Sequence, residues 1–582
     1  MAIGESTTPL QAARLRYNEI ATKLFSERSS FDTHWGELAE FYLPRRSRFF
    51  ITDRNRGDKR NQSIIDSVPS FAARTLQSGM HSGLTSPARP WMKLATTSPS
   101  NQDSPEVKQW LADVTERMLS VFLQSNLYNA LPLTYGDLGV FGTAALGVME
   151  DDEDLFRCYV YPIGSWAAAV DARGLPSDFV REYEMTVGQV VKKFGYPDGR
   201  TTPDWSILSE HVKQAWENQR TQDPVSVCWM VSANPEENQK GKTPWPFLSI
   251  HFEKSQGTSV NSLDDSKLLR QSGFWEFPIM LPRWSVTGED TYGTDCPGML
   301  ALGDAKALQV MQKKKAQAIE KQINPPMVGP PSLRTQKVSL LPGDMTFMTG
   351  SDSANLLRPV HEVTASVAEL SADIQQTEFR IQRAFFEDLF LMLQRGGVPG
   401  VQPRTAREID ERHEEKLLTL GPVLERTIDE LNDPLIDRVF AMMSRAGMIP
   451  DAPEELEGVD LKVEYVSALA QAQKFSGVAN TDRFVASVAA LVEVMPSVLD
   501  KVDPMALVDI YADQIGVNPE LVRPTEEAQQ IAQQRAQAQQ EAAQSEQMQA
   551  AANSAKALSQ SDLSGDNALT AVADRLSGQA PG

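Results

Sequence analysis

The feature that most constrains the fold is the stretch from Tyr292 to Pro326, YGTDCPGMLALGDAKALQVMQKKKAQAIEKQINPP, which reads as one long helix with a hard stop at each end. Pro297 suits the first turn, where its missing N–H costs nothing, and Asn324, Pro325 and Pro326 cannot continue the helix. At about 1.5 Å per residue the element is roughly 40 Å long. Gly303 and Asp304 could kink it or restart it, because Gly is a poor interior residue and Asp a good N-cap. Steps of 100° place Ala301, Ala305, Leu308, Ala316, Ile319 and Ile323 on one narrow stripe, interrupted by Gln312. The same wheel puts Lys306, Lys313, Lys314 and Lys321 on other faces. An Ala-rich stripe predicts close packing against neighbours while the remaining surface stays wet. By itself this describes an ordinary amphipathic helix of a globular domain.

With 582 residues the chain exceeds one ordinary core, so two to four domains are expected. A net charge of −21 excludes nonspecific coating of DNA by the whole surface, which needs a basic footprint. It leaves room for a local basic strip, or for an acidic surface that nucleic acid slides past. Cys158, Cys228 and Cys296 lack CxxC spacing, which argues against a disulfide framework or a zinc site and fits a reducing compartment. The N-terminus has no signal-peptide pattern and no run of about eighteen apolar residues occurs, so no membrane role is expected.

Residues 9–28 read as a helix ending at Ser29 and Ser30, with Asp32 capping a second one up to Pro44. A basic loop follows, Arg45, Arg46, Arg48, Arg54, Arg56, Lys59 and Arg60, for which a solvated loop is favoured over phosphate contact. Helices are expected over 67–84, 105–125 and 128–141, with an extended exit from LTSPARPW toward Trp91. From Leu146 to Trp284 the pattern becomes short alternating runs, LGVME, FRCYVY, FVREYEM, VSVCWMV and FLSIHFE, interrupted by short helices at 186–194 and 206–219. This predicts an α+β section of mostly antiparallel strands. The run Glu150, Asp151, Asp152, Glu153, Asp154 is read as a solvated hairpin tip in preference to a metal site.

A proline- and glycine-punctuated insertion, 325–360, separates the opening helix from a second one over 363–393. QRGGVPGVQP, 394–403, is a loop, and a long helix from Thr405 to about Ala446 should kink at Asp433 and Pro434. A short strand, LKVEYV, precedes further helices. Residues 525–558 are Gln- and Ala-rich, helix-prone and poorly able to bury a face alone, so they stay loose or associate with copies of themselves. The last twenty or so residues are expected to be disordered.

No catalytic motif survives inspection. Gly241, Lys242 and Thr243 lack the first glycine of a phosphate loop and run into Pro244, GMHSG at 79–83 holds His81 where a nucleophile elbow needs Ser, and HEEK at His413 lacks a second His. Neither an enzyme nor a cofactor is indicated.

Five blocks carry a resemblance: RTLQSGMHSGLTSPARPWMKL at 74–94, VREYEMTVGQVVKKFG at 180–195, YGTDCPGMLALGDAKALQ at 292–309 with INPPM at 323–327, TAREIDERHEEKLLTLGPVLERTIDELNDPLIDRVF at 405–440, and VEYVSALAQAQK at 463–474. In this order they resemble the podovirus head-to-tail connector (portal) proteins. The resemblance implies an α+β, predominantly helical subunit of a dodecameric ring at one capsid vertex of the virion, assembled in the host cytoplasm. It implies a wing (1–290), a first stem helix (291–324), a clip (325–360), a second stem helix (361–393) and a tunnel loop (394–403). A long kinked wing helix (404–448), a crown (449–524), a barrel helix (525–560) and a disordered tail (561–582) would follow. Double-stranded DNA would pass through the centre without sequence specificity, driven by a separate terminase large subunit docked on the clip and later replaced by tail adaptor proteins. Major capsid and scaffolding proteins would be further partners. Lys306, Lys313, Lys314 and Lys321 become candidates to face DNA, or else to pair with carboxylates of the adjacent subunit. Arg395 and the rest of the tunnel loop, Gln394, Gly396, Gly397, Val398, Pro399 and Gly400, are the next DNA candidates. Pro325, Pro326, Met327, Pro330 and Pro331 are candidates for partner docking on the clip. The competing reading is another virion structural protein, a tail adaptor or an internal scaffold.

Overall fold

In the computed structural model, helix α1 runs without a break from Pro9 to Phe41, not as the two helices expected. The reason lies in the side chains that suggested a break. Ser29 and Ser30 donate back to the carbonyls of Ser26 and Glu27, and Asp32 binds the Arg28 guanidinium one turn earlier, so none of them competes for a backbone N–H at a helix end. The structure describes residues 9–49, 57, 59–97, 104–196, 201–234, 244–254, 268–323, 327–328, 358–359, 367–394, 420–456, 461–466, 485, 488, 506–508 and 525–559. The chain divides into two compact units, 1–102 with 106–476, and 103–105 with 477–582.

Within the first unit, α2 (Val68–Leu84), α3 (Pro105–Gln124) and α4 (Leu127–Phe141) lie where the periodicity places them. Gly142, at φ 77°, closes α4 in the left-handed conformation that a Cβ disfavours. The extended exit at Trp91 becomes strand β1 (Met92–Thr96). It pairs antiparallel with Leu461–Tyr465, so the short strand predicted late in the chain is held by its beginning.

The α+β section contains two further sheets. Strands β2 (Leu146–Asp151) and β3 (Leu155–Val160) form a hairpin, joined on the free side of β2 by β9 (Ile279–Met280). The acidic run caps this hairpin: the Asp151 carboxylate accepts the N–H groups of Glu153 and Asp154, and Glu150 pairs with Arg445 at 3.1 Å. A five-stranded antiparallel meander follows, β4 (Trp166–Val170), β5 (Pro176–Thr186), β6 (Pro224–Ala233), β7 (Phe247–Glu253) and β8 (Leu268–Phe274). β4, β8 and β9 escape the alternation rule because WAAAV is nearly all small, LLRQSGF is mixed and two residues carry no pattern.

Alternation along β6 sorts the two faces. Cys228 and Met230 pack with Ala167, Val180, Ile250 and Phe252 against Ala21 and Leu24 of α1. On the other face Val225 and Val227 pack with α5 (Val187–Phe194) and α6 (Glu210–Glu217), and Trp229 and Val231 join the main core. A reciprocal capping box between Thr186 and Gln189 starts α5 at the expected residue.

The long helix, α7 (Pro297–Ile323), is continuous. Gly303 and Asp304 neither kink nor restart it; Gly303 faces open space, and Asp304 is used across the helix pair, as described below. The partner helix, expected over 363–393, is broken. α8 (Val367–Ala384) ends at Phe385 and Phe386, and α9 (Glu387–Gln394) starts anew. Phe386 adopts φ 55°, a conformation held by opposite burial demands: Phe385 is fully buried against Tyr42, and Phe386 turns toward Trp284. The kink expected at Asp433–Pro434 takes a definite form. A helical run over 420–427 widens into a π-helical turn, Ile428–Asn432, before α10 (Asp433–Arg445), in which Pro434 sits in the first turn. The wider turn absorbs the hydrogen bond that proline cannot make. In the second unit α11 spans Thr525–Ser559, its described side chains almost all exposed.

Candidate functional site

Helices α7 and α8 pack antiparallel, the start of one beside the end of the other. Arg380 of α8 grips Asp304 of α7 through two bonds, Nη2–Oδ1 at 3.1 Å and Nε–Oδ2 at 3.3 Å. At the far end the intervening insertion is closed by a two-residue ladder, β10 (Met327–Val328) against β11 (Arg358–Pro359), with Met327 opposite Pro359. Both ends of the insertion therefore leave from one place.

The first half of α7 is clamped along its inner face. Tyr292, just before it, sits in an aromatic nest with Phe31, Trp35 and Trp166, and its hydroxyl accepts the N–H of Ala168 at 3.0 Å. Gly298 lies so close to α4 that a Cβ there would meet the Val140 carbonyl oxygen at 2.3 Å. Gln309 is buried; its Oε1 accepts the N–H groups of Ile65 and Asp66, both at 2.7 Å, and its Nε2 donates to the Asp66 carbonyl at 3.0 Å. Gln312, which interrupts the apolar stripe, donates to the Asp66 carboxylate at 2.7 Å. That carboxylate also accepts the N–H of Val68 at the start of α2. The polar interruption thus fixes the segment that launches α2. The second half of α7 has no such cover: Ala301, Ala305 and Leu308 are buried, whereas Ala316, Ile319 and Ile323 of the same stripe are exposed, as are Leu300, Val310 and Phe379 of α8.

The sequence-derived candidates fall into three groups. Lys306 is engaged within the chain, donating to Glu37 of α1 at 2.8 Å; this hydrogen bond and charge hold the Glu37 carboxyl below its ordinary range. Lys313, Lys314 and Lys321 are exposed, with Lys314 and Lys321 on the face that also carries Gly303, Ala307 and Val310. Met327 lies in β10 and Gln394 is the last residue of α9. Pro325, Pro326, Pro330, Pro331, Arg395, Gly396, Gly397, Val398, Pro399 and Gly400 lie outside the described residues, as do His413, the Gly241–Lys242–Thr243 triplet and the terminal 561–582.

Two arginines that sequence reasoning passed over tie the π-helical turn and α10 to the sheets. Arg283 binds Glu430 bidentately, at 2.7 and 3.2 Å, while also donating to the carbonyls of Gly174 and Asp290, each at 2.9 Å. Arg438 donates to the carbonyls of Val148 and Glu276 and to the Glu276 carboxylate at 3.1 Å; burial draws its pKa down to about 10 despite that partner. Spacing offers no signal for either, since most of their carbonyl and carboxylate acceptors come from segments more than a hundred residues away. In the basic loop Arg46 is an ion-pair partner of the buried Asp137 on α4. The three cysteines are buried free thiols, with Cys158 and Cys296 each pushed up to about 12 by burial, so none is a nucleophile at neutral pH.

An antiparallel helix pair bearing a pinched-off insertion is thus set on an α+β body by polar clamps. The chain belongs to the family described as bacteriophage head to tail connecting protein, whose model matches residues 14–522. It is 45% identical over 554 residues to the portal protein of Salmonella phage epsilon15, covering 95% of this chain and 96% of that one. It is 40% identical over 558 residues to a probable portal protein of Bordetella phage BPP-1, covering 96% and 97%. A chain from the virion of a native gene transfer agent particle aligns at 11% identity and a TM-score of 0.31, over 72% of this chain and 86% of that one, too distant to bear on the fold.

Proposed function

We propose that the chain is a portal subunit that assembles with copies of itself into a dodecameric ring at one capsid vertex, through which double-stranded DNA is packaged and ejected. The observation that carries the reading is the α7–α8 pair with its pinched insertion, in a chain whose family match runs nearly end to end. The pair serves as the stem, the insertion as the clip and the 394–403 segment as the tunnel loop. Exposed Leu300, Val310, Ile319, Ile323 and Phe379 on an otherwise well-clamped helix pair suit burial against neighbouring copies. The work is mechanical and not enzymatic. A terminase large subunit docks on the clip around Pro325, Pro326, Met327, Pro330 and Pro331, and tail adaptors follow it; capsid and scaffolding proteins meet the outer surface. The virion is the place of action, with assembly in the host cytoplasm.

DNA passes most freely along a wall that holds phosphate weakly, since each firmly neutralised phosphate releases counterions and adds affinity. Lys313, Lys314, Lys321 and Arg395 are the proposed contacts; Lys306, already bound to Glu37, is the weakest of the original four. Charge reversal of Lys314 and Lys321 leaves folding unchanged, because neither has an ion-pair partner among the described residues, and lowers DNA packaging or retention. Unaltered packaging in that variant removes the DNA-facing role. Electron microscopy of the purified protein tests the ring itself: closed rings with a hole wide enough for a duplex are expected, and monomers or filaments count against the proposal.

A further inference from the structure

The register of the five-stranded sheet sets Arg181 of β5, Trp229 of β6, His251 of β7 and Arg270 of β8 side by side in one row, which begins at Trp166 of β4. Residues opposite one another in such a ladder have Cβ atoms only about 4.5–5.5 Å apart. The Trp229 and His251 rings stack at 6.0 Å, and Phe194 of α5 closes on the same imidazole at 5.4 Å. Lys193 of α5 brings its Nζ to 5.3 Å from the Phe194 ring centre, and the Arg181 guanidinium lies over Tyr161 and Tyr183 at 4.6 and 5.1 Å. Arg48, from the basic loop after α1, is near enough for its charge to act on Arg181, as Lys193 and Arg270 act on His251.

Cations thus converge on one row of a protein whose net charge is −21, yet no carboxylate among the described residues pairs with Arg181, Lys193 or Arg270. His251 Nδ1 and Arg181 Nε are buried without a hydrogen-bond partner. Arg181 is half-buried, with Lys193 and Arg270 exposed near it; like charges repel, and a cation drawn out of water is ordinarily paired. Here burial and the neighbouring cations draw the Lys193 and Arg181 values down and leave His251 neutral, with a pKa of about 3. The aromatic rings stabilise individual cations, but they leave the mutual repulsion in place. Among the described residues nothing supplies the compensating charge.

We propose that this row is a binding site for a phosphate group, held by Arg181, Lys193 and Arg270, with Arg48 at its edge. One carboxylate would leave most of the cationic charge uncompensated. A phosphate offers several acceptor oxygens, the arrangement that planar guanidinium groups recognise bidentately. The group is either a backbone phosphodiester of duplex DNA or free phosphate, and the site is independent of the proposed channel lysines.

The test uses the full-length protein, titrated calorimetrically with inorganic phosphate and separately with a short DNA duplex. It compares wild type with K193Q/R270Q and with R270Q, whose altered side chains are exposed, and with K192Q, an exposed lysine beside the row, as the charge-matched control for R270Q. Wild type and K192Q bind at least one probe, and K193Q/R270Q binds it at least about tenfold more weakly, as expected for losing charge-assisted hydrogen bonds. Should the double variant lose its near-ultraviolet circular dichroism, R270Q alone gives the same readout. Binding of duplex but not phosphate, lost in the variant, makes DNA the source; binding of inorganic phosphate makes it the free anion. If neither probe binds the wild type, or if all variants bind alike, the proposal is overturned.

Discussion

Arg438 holds a guanidinium that is 1% exposed, and its bonds to Val148, Glu276 and the Phe274 ring join α10 to two separate sheets. Truncation to Ala leaves those carbonyls without a donor and a void behind them. Because Arg445 still neutralises Glu276, the loss falls at the low end for a broken buried pair, about 3 kcal/mol by urea denaturation, and Arg438→Met loses less. Two glycines of α7 give opposite signs. Gly298→Ala drives a methyl into the Val140 carbonyl and costs about 1–3 kcal/mol, whereas Gly303→Ala meets open space and gains about 1 kcal/mol of helix propensity; thermal melts of the unassembled chain separate them. Asp433 accepts the Tyr465 hydroxyl, and burial raises its pKa, as it does that of Asp437 beside it. Carboxyls with raised folded values bind protons more tightly when folded. Their contribution is fully present below the ordinary aspartate range, about 3.9, and is lost as pH rises through the raised values. Asp433→Asn keeps an acceptor for Tyr465 without titrating, so its melting temperature falls less than wild type's across that window.

At the scale of elements, α7 shows what periodicity reads well and what it misses. The stripe through Ala301, Ala305 and Leu308 is buried as its spacing requires, and both boundaries of the helix stand near the prolines that set them. The kink that Gly303 could introduce is absent, because contacts with α1, α4 and α8 hold the helix straight at a cost of about 1 kcal/mol for the glycine. Gln312 looked like a flaw in the stripe and is a clamp on Asp66. α8 fails in the other direction: its seam runs on through Phe385 and Leu389, yet adjacent phenylalanines needed in different places force a break. At the next long helix, Pro434 announced a disturbance, but only the packed structure selects a π-helical turn, with Glu430 placed to receive Arg283.

For the whole molecule, the two units differ in what supports them. The first has an extensive apolar core, whereas α11 of the second is Gln- and Ala-rich and almost wholly exposed along its described length. A helix without a buried face gains little beyond intrinsic propensity. Deleting 525–582 is therefore expected to leave the main thermal transition of the unassembled protein where it is, while removing helical signal that melts broadly. A lowered main transition would show that the first unit depends on this segment.

The sequence by itself determined helices such as α2, α3 and α4, the antiparallel character of the α+β section and, through blocks such as 292–309, the connector family, because each is a local pattern or an ordered run of local patterns. The straight run of α7 through Gly303, from Pro297 to Ile323, was left to tertiary structure, as were the pairing of β1 with Leu461–Tyr465, the clamps of Gln309, Arg283 and Arg438, and the cationic row across four strands. Those features depend on which carbonyl or ring a distant segment brings within a few ångströms, and no spacing along one strand or helix records that distance.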